Sequence, residues 1–320
     1  MPIMPARTLI CGSLAFDTIM VFPDRFRNHI LPGQTHILSV SFEVNQLRRE
    51  FGGTAGNIAY TLKLLGGEPM VMATLGSDGG VYRERLEKLG IGIDGVRMID
   101  SAYTAQAFIT TDLDDNQITA FHAGAMNHSH RIAIAEVSGV ALAIVAPDGR
   151  EGMIAHCEQL GAAGIAFIFD PGQGLPLFAG EELERMMALA NYVAVNDYEC
   201  ELLQERTGLS RETIARELTG RGGALIVTSG ARGSTIFAPE GSIAVASVPA
   251  EAEVDPTGCG DAYRAGLLHG LAQGWDWKKT GRLAALLGSL KIAQRGAQNH
   301  TFTREELSKL YYRHFGVSLW

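Results

Sequence analysis

Six short apolar runs, none with the alternating polarity of a half-exposed strand, most constrain what this chain can become. They are Thr8–Cys11, Met70–Leu75, Val140–Ala146, Ile165–Phe169, Tyr192–Val195 and Leu225–Thr228. A strand that is apolar on both sides must be covered on both sides, as parallel strands between helices are. Helical patterns fall between the runs: 57–65 stops at Gly66-Gly67, 81–89 stops at Gly90, and 211–218 follows the N-cap candidate Ser210. Near the C-terminus Thr303 and Glu306 have capping-box spacing ahead of a helix that ends by Gly316. The alternation predicts an α/β fold, three layers with a mainly parallel central sheet and helices on both faces.

Two stretches break the pattern. Residues 15–50 and 103–122 lack helical period but hold extended candidates at 38–44, 106–111 and 117–121, with Asp114-Asp115-Asn116 as a turn between the last two. A small antiparallel β lid inserted into one domain of residues 1–320 accounts for them. Length and a 46% hydrophobic content supply a core for such a domain.

Composition narrows the function classes. A net charge of −8 disfavours a nucleic-acid binder or one of an anionic membrane, which needs a basic surface. No apolar stretch approaches the roughly 18 residues of a membrane span, and Cys11, Cys157, Cys200 and Cys259 form no C-x-x-C pair. These features read as a cytoplasmic protein. The 38 glycines, about 12% of the chain against an average of roughly 7%, have no fibrous period and must serve particular turns.

The strongest such turn is Asp255-Pro-Thr-Gly-Cys-Gly-Asp261. A helix starting near Gly258 would let Gly258, Cys259 and Gly260 aim consecutive N–H groups at one anion. Asp261 then falls in the first turn, where it can take a proton from an attacking nucleophile and where the helix dipole should hold it ionised. Alone, Gly-x-Gly-Asp describes a structural turn equally well. It is neither a Walker A loop nor Gly-x-Gly-x-x-Gly, because Tyr263 takes the third glycine position. A second cluster, Phe51-Gly-Gly53-Thr-Ala-Gly-Asn57, opens another helix, and Asn57 offers a donor and an acceptor on one amide. Asp17 lies past a buried strand end, where it could bind ligand hydroxyls, although a solvated loop carboxylate is the default. Arg48-Arg49-Glu50 reads as a solvated charge run, and His128 and His130 lack a third metal ligand.

Taken together, Gly-Gly-x-x-x-Asn near the start and Asp-Pro-Thr-Gly-x-Gly-Asp near the end resemble the ribokinase-like (PfkB) family of sugar kinases. So do Asn196-Asp-Tyr-Glu199, similar to the family's Asn-x-x-Glu, and Thr228-Ser-Gly230-Ala-Arg-Gly233, similar to its nucleotide loop. Within the family, Cys11-Gly-Ser13-Leu-Ala-Phe-Asp17 and Gly124-Ala-Met126 look most like bacterial adenosine kinases. The resemblance implies phosphoryl transfer from ATP to a sugar hydroxyl, here the 5′-hydroxyl of adenosine, with Asp261 as base and Gly258–Gly260 as anion hole. Asn196 and Glu199 would act near the phosphates and Mg2+, Glu199 through water, while Thr228, Gly230 and Gly233 line the ATP cleft. Ser13, Asp17, Gly53 and Asn57 would hold the ribose, and Phe121, Phe42 and Gln173 the purine. Ala107 stands where the resemblance implies an aromatic. Asp255 and Thr257 correspond to a monovalent-cation site, which implies K+ activation, and the lid implies a homodimer. The alternatives are a kinase of another nucleoside or of free ribose or fructose, and a non-catalytic sugar- or nucleoside-binding protein on the same fold. A dinucleotide-dependent dehydrogenase lacks its fingerprint here.

Overall fold

In the computed structural model, which describes residues 7–30, 39–114 and 116–320, every one of the six apolar runs is a strand of one sheet. In chain order the strands of that sheet are β1 (Arg7–Cys11), β4 (Pro69–Gly76), β5 (Gly92–Ile99), β8 (Val140–Val145), β9 (Phe167–Phe169), β10 (Tyr192–Asn196), β11 (Ala224–Thr228), β12 (Ser234–Ala238) and β13 (Gly241–Val245). They lie in the order β13-β12-β11-β10-β9-β8-β1-β4-β5. Pairing is parallel from β5 to β11, and β12 and β13 add an antiparallel edge.

Burial on both faces explains the lack of alternation. Ile10, Val71, Ile144, Ile168, Ala194 and Ile226 pack one way, while their neighbours Leu9, Met70, Val145, Phe169, Val193 and Val227 pack the other. The first face is covered by α1 (Thr54–Leu64), α2 (Gly80–Lys88), α7 (Cys259–Ala272), α8 (Trp277–Ile292) and α9 (Arg304–Phe315). The second is covered by α3 (Arg150–Ala163), α4 (Gly180–Leu189), α5 (Asp197–Thr207) and α6 (Arg211–Thr219). The caps fall where the sequence puts them, Ser210 before α6 and the reciprocal Thr303–Glu306 pair before α9.

A second sheet, ordered β3-β2-β6-β7, is built from β2 (Ala15–Val21), β3 (Gln46–Gly52), β6 (Ala105–Thr111) and β7 (Gln117–His122). Its outer pairs are antiparallel and its central pair β2–β6 is parallel, because two separate insertions meet edge to edge. The extended segment expected at 38–44 is absent: residues 39–44 form no strand, Leu38 lies outside the described residues, and the strand is β3 instead. Asp115 of the expected turn is likewise outside them. Nor is Arg48-Arg49-Glu50 a free charge run. It occupies the middle of β3, and the Arg49 guanidinium lies 3.6 Å from the centre of the buried Phe16 ring.

One carboxylate ties both insertions to the body. Asp78, between β4 and α2, accepts from Arg49 on β3 (3.0 Å) and from the backbone N–H of Thr104 at the root of β6 (2.7 Å). Burial raises its pKa, but these hydrogen bonds outweigh that and hold it below the ordinary value. The Asp78 interactions therefore stabilise the fold above the unfolded-state pKa of about 3.9 and fade as pH falls through it. Asp78→Ala should cost about 1.5–3 kcal/mol at pH 7. The gap from wild type, read by urea unfolding, should shrink below about pH 4.

Candidate active site

The sheet reverses direction of growth at β1, with β4 and β5 added on one side and β8 onward on the other. A crevice opens at the carboxyl ends of strands at such a switch point. Here it is a cleft of about 1050 Å³ whose floor comes from the ends of β1 (Ser13), β8 (Pro147, Asp148), β9 (Asp170), β10 (Asn196) and β11 (Thr228). The N-termini of α1 and α7 form one wall, and lid residues Asp17, Ala107, Thr119 and Phe121 reach in from above.

Asp261 lies in the first turn of α7, facing the cleft. Its Oδ2 accepts from Asn57 Nδ2 at 2.8 Å. The Asn57 amide is itself fixed, since its Oδ1 accepts from Gln298 Nε2 at 3.1 Å. Gln298 Nε2 also donates to Tyr82 Oη (2.7 Å), and Tyr82 donates to the Gly52 carbonyl (2.6 Å). A buried polar chain thus runs from Asp261 to the glycine pair where β3 enters α1. Asn57, expected to meet ribose, lines the cleft, and its amide is also engaged at both ends, with Asp261 and Gln298. Gln298 and Tyr82 were not singled out in the sequence, where nothing near them signals a ligand.

Contrary to the expectation from the helix dipole, the Asp261 pKa is raised rather than lowered. Burial lifts its pKa to about 6, opposed by the Asn57 hydrogen bond, with nearby Asp170 and Asp17 adding to the rise and Arg264 reducing it. Arg264, one turn further along α7, makes a two-pronged buried pair with Asp170 (3.1 and 3.0 Å). A lone arginine in an otherwise apolar helical stretch was the available signal for it. Asp148 was also missed. Burial pushes its pKa to about 7, although the Gly149 N–H and Ser129 lower it.

The turn before α7 takes its shape from Gly258, whose φ of 81° belongs to the left-handed region and whose added Cβ would stand 2.8 Å from that of Ala297. Gly258 and Gly260 line the cleft. Cys259 does not, because its N–H is spent on the Pro256 carbonyl (3.2 Å); burial also pushes its thiol up to about 11. The expected row of three amides is therefore the flanking two, backed by the open first turn of α7. Gly53 (φ 84°) plays the matching part before α1, and Ser13 Oγ accepts from Thr54 N at 3.1 Å.

Asp17 is a residue of β2 rather than of a solvated loop, and burial, with Asp255 and Glu50 nearby, raises it to about 6. Phe121 lines the cleft directly opposite Ala107 in the β6–β7 register, so the small residue leaves the ring's face open. Gln173 lines the cleft too. Phe42 does not: it packs with Phe22 and Phe26 in an aromatic cluster of the lid. Thr228 and Gly230 line the cleft, whereas Gly233 is required by the close approach of the Val245 carbonyl.

Asn196 and Glu199 form a reciprocal cap on α5, with Glu199 Oε2 accepting from Asn196 N (2.8 Å) and Asn196 Oδ1 from Glu199 N (2.7 Å). Burial and Asp170 raise the Glu199 pKa, a cost that a divalent cation beside it would relieve. Among the described residues no three His, Cys, Asp or Glu gather as a metal cage. That donor set fits Mg2+, which keeps several waters and takes one or two carboxylates along with phosphates. The implied K+ site does not fit. Asp255 Oδ1 accepts from Thr257 N (2.9 Å), Oδ2 from Gly296 N (2.9 Å), and its carbonyl from Lys291 Nζ (2.7 Å).

Comparison with known proteins decides the family. Residues 17–304 match the pfkB family carbohydrate kinase profile. The chain belongs to the pfkB family of carbohydrate kinases. This pfkB kinase is 30% identical over 312 residues to a nucleoside kinase of Methanothermobacter thermautotrophicus, covering 96% of each chain. It is 51% identical to Burkholderia thailandensis nucleoside kinase solved with inosine, with a TM-score of 0.87 over 97% of this chain and 99% of that one. The same Burkholderia enzyme solved with ADP-inosine gives 52% identity, a TM-score of 0.85 and 97% coverage of both. As pfkB-family kinases use ATP, the donor is assigned, and no helix among the described residues is long and apolar enough to cross a membrane.

A raised carboxylate subtracts stability wherever it is ionised in the folded state. Asp261→Asn should therefore raise the urea midpoint at pH 7, and the gain should vanish as pH falls through about 6 toward 4. Gln298→Leu frees the Asn57 amide to turn, weakening its hydrogen bond to Asp261. The acid limb of the pH–rate profile should then move upward, by on the order of half a unit, with the plateau largely kept.

Proposed function

We propose that the protein is an ATP-dependent nucleoside kinase that phosphorylates the 5′-hydroxyl of a purine nucleoside. The observation that carries this reading is Asp261 at the mouth of the Gly258–Gly260 turn, held by Asn57 of the neighbouring helix α1 on the same wall of the cleft. In that position the carboxylate accepts the hydroxyl proton while the oxygen attacks the γ-phosphorus in line, displacing ADP. The Gly258 and Gly260 amides and the α7 N-terminus stabilise charge on the transferring group. Mg2+ bound with the nucleotide would supply further charge neutralisation, and Glu199 is the carboxylate that would hold it. Asn196, Thr228 and Gly230 lie along the nucleotide's part of the cleft.

For the acceptor, Asp17, Ser13 and Gly53 face the ribose, and Phe121 offers its open face to a base. Gln173 and Asp148 are the polar groups available to a purine edge. With a pKa near neutrality Asp148 can donate or accept, which suits inosine as well as adenosine. The relatives with nucleoside kinase names, and the Burkholderia enzyme's inosine complex, favour a nucleoside over a free sugar. Adenosine therefore stands beside inosine rather than ahead of it. Lid closure over the cleft excludes water, the competing acceptor. We extend the proposal to a homodimer through the lid, because among the described residues β7 is an unpaired edge with Ile118 and Phe121 exposed, and Phe108 is exposed beside it on β6. A reducing cytoplasm suits the four free thiols.

Transfer of labelled phosphate from ATP to adenosine, inosine, ribose and fructose tests the substrate class. Either nucleoside should lead by a wide margin in kcat/KM, and a free sugar leading would overturn the reading. Asp261→Asn should lower kcat by about 10²–10⁴-fold with little change in nucleoside affinity; near-wild-type turnover would remove Asp261 as the base.

A further inference from the structure

Among the described residues, Lys291 is the one ammonium drawn fully inside the protein next to the Gly258–Gly260 turn. It closes the last turn of α8 and has no exposed surface. Its Nζ donates to the carbonyls of Asp255 (2.7 Å) and Gln294 (3.0 Å), two oxygens brought together because residues 254–255 cross the end of α8. Burying an ammonium is costly unless its charge is answered. Two carbonyls answer it here, with the Asp255 carboxylate close by. That carboxylate in turn accepts the N–H groups of Thr257 and Gly296.

The Asp255 and Gln294 carbonyls, which could otherwise turn to a bound cation, both face the Lys291 ammonium, which already stands in the place such a cation would take. The positive charge at this point is covalent. We infer that the Lys291 ammonium is a built-in monovalent cation, fixed behind the Gly258–Gly260 turn, and that the enzyme works without K+. This rests on the kinase reading above, since the charge matters to a phosphoryl group held at that turn.

The position suits the task. Asp255 begins the turn that ends at Asp261, and the Cys259 thiol lies 4.0 Å from the carbonyl that Lys291 holds. A fixed +1 at this distance strengthens the amides' hold on an anion in a partly buried site. It also anchors residues 255–258, so removing it should loosen the turn as well as weaken the field.

The wild-type protein is compared in KCl and in tetramethylammonium chloride at equal ionic strength, by thermal unfolding and by phosphorylation of inosine and adenosine with Mg2+ and ATP. Melting midpoint and rate should be the same in both salts. Lys291→Ala opens the space of the side chain and should lower kcat by on the order of 10²-fold. K+ or NH4+, but not tetramethylammonium, should restore part of the rate and raise the variant's melting midpoint, as a cation bound to the folded state must. Lys291→Gln, which keeps a donor but no charge, should fold and show the same loss of rate. Selective stabilisation or activation of the wild type by K+ would overturn the inference, and so would wild-type kcat in either folded variant. If no nucleoside is phosphorylated in any salt, the kinase reading fails, while the melting comparison still decides the cation.

Discussion

The buried pair between Arg264 and Asp170 is the interaction on which the cleft depends. Asp170 sits at the carboxyl end of a central strand, and Arg264 is on the helix whose N-terminus forms the cleft wall. Two parallel hydrogen bonds fix direction as well as distance, so the pair sets where α7 points. Everything proposed for phosphoryl transfer follows from that orientation: the Gly258 and Gly260 amides open toward the cleft, and Asp261 meets Asn57. Breaking such a pair from one side leaves a charge stranded, at a cost of about 3–5 kcal/mol. The same guanidinium offsets some of the repulsion among Asp170, Asp261 and Glu199.

That crowding is the price of chemistry at an acidic site. Asp17, Asp148 and Asp261 all titrate well above ordinary carboxylates because burial penalises their charge. A base with a pKa near 6 is mostly ionised at neutral pH yet basic enough to take a proton from an attacking hydroxyl. The chain's net charge of −8 is no obstacle to binding a nucleotide, since the groups proposed to face its phosphates are backbone amides and a helix N-terminus.

The central strands were legible because burial on both faces removes alternation, a property of composition alone. The two glycine turns were legible because close approach and positive φ leave little choice of residue. The lid was read less well. Its strand β3 carries Gln46, Arg48, Arg49 and Glu50, polar and charged side chains that a sheet with an exposed face tolerates, so the pattern resembled a loop. Phe42 was misplaced for a related reason: an aromatic in a small lid serves packing or binding equally, and its partners Phe22 and Phe26 are distant in sequence. Partners distant in sequence also hid Lys291 and Gln298, whose meaning depends on Asp255 and Asn57 more than thirty and two hundred residues away. The match of Asp255 and Thr257 to a cation site held in sequence but not in space, because the deciding residue lies outside the motif.

A structure with a purine nucleoside and a non-hydrolysable ATP analogue bound together tests the central claim most directly. The account predicts the 5′-oxygen about 2.6–3.2 Å from the Asp261 carboxylate, with the γ-phosphate against the Gly258 and Gly260 amides. A 5′-oxygen out of reach of Asp261, with the lid closed and both ligands in place, would contradict it.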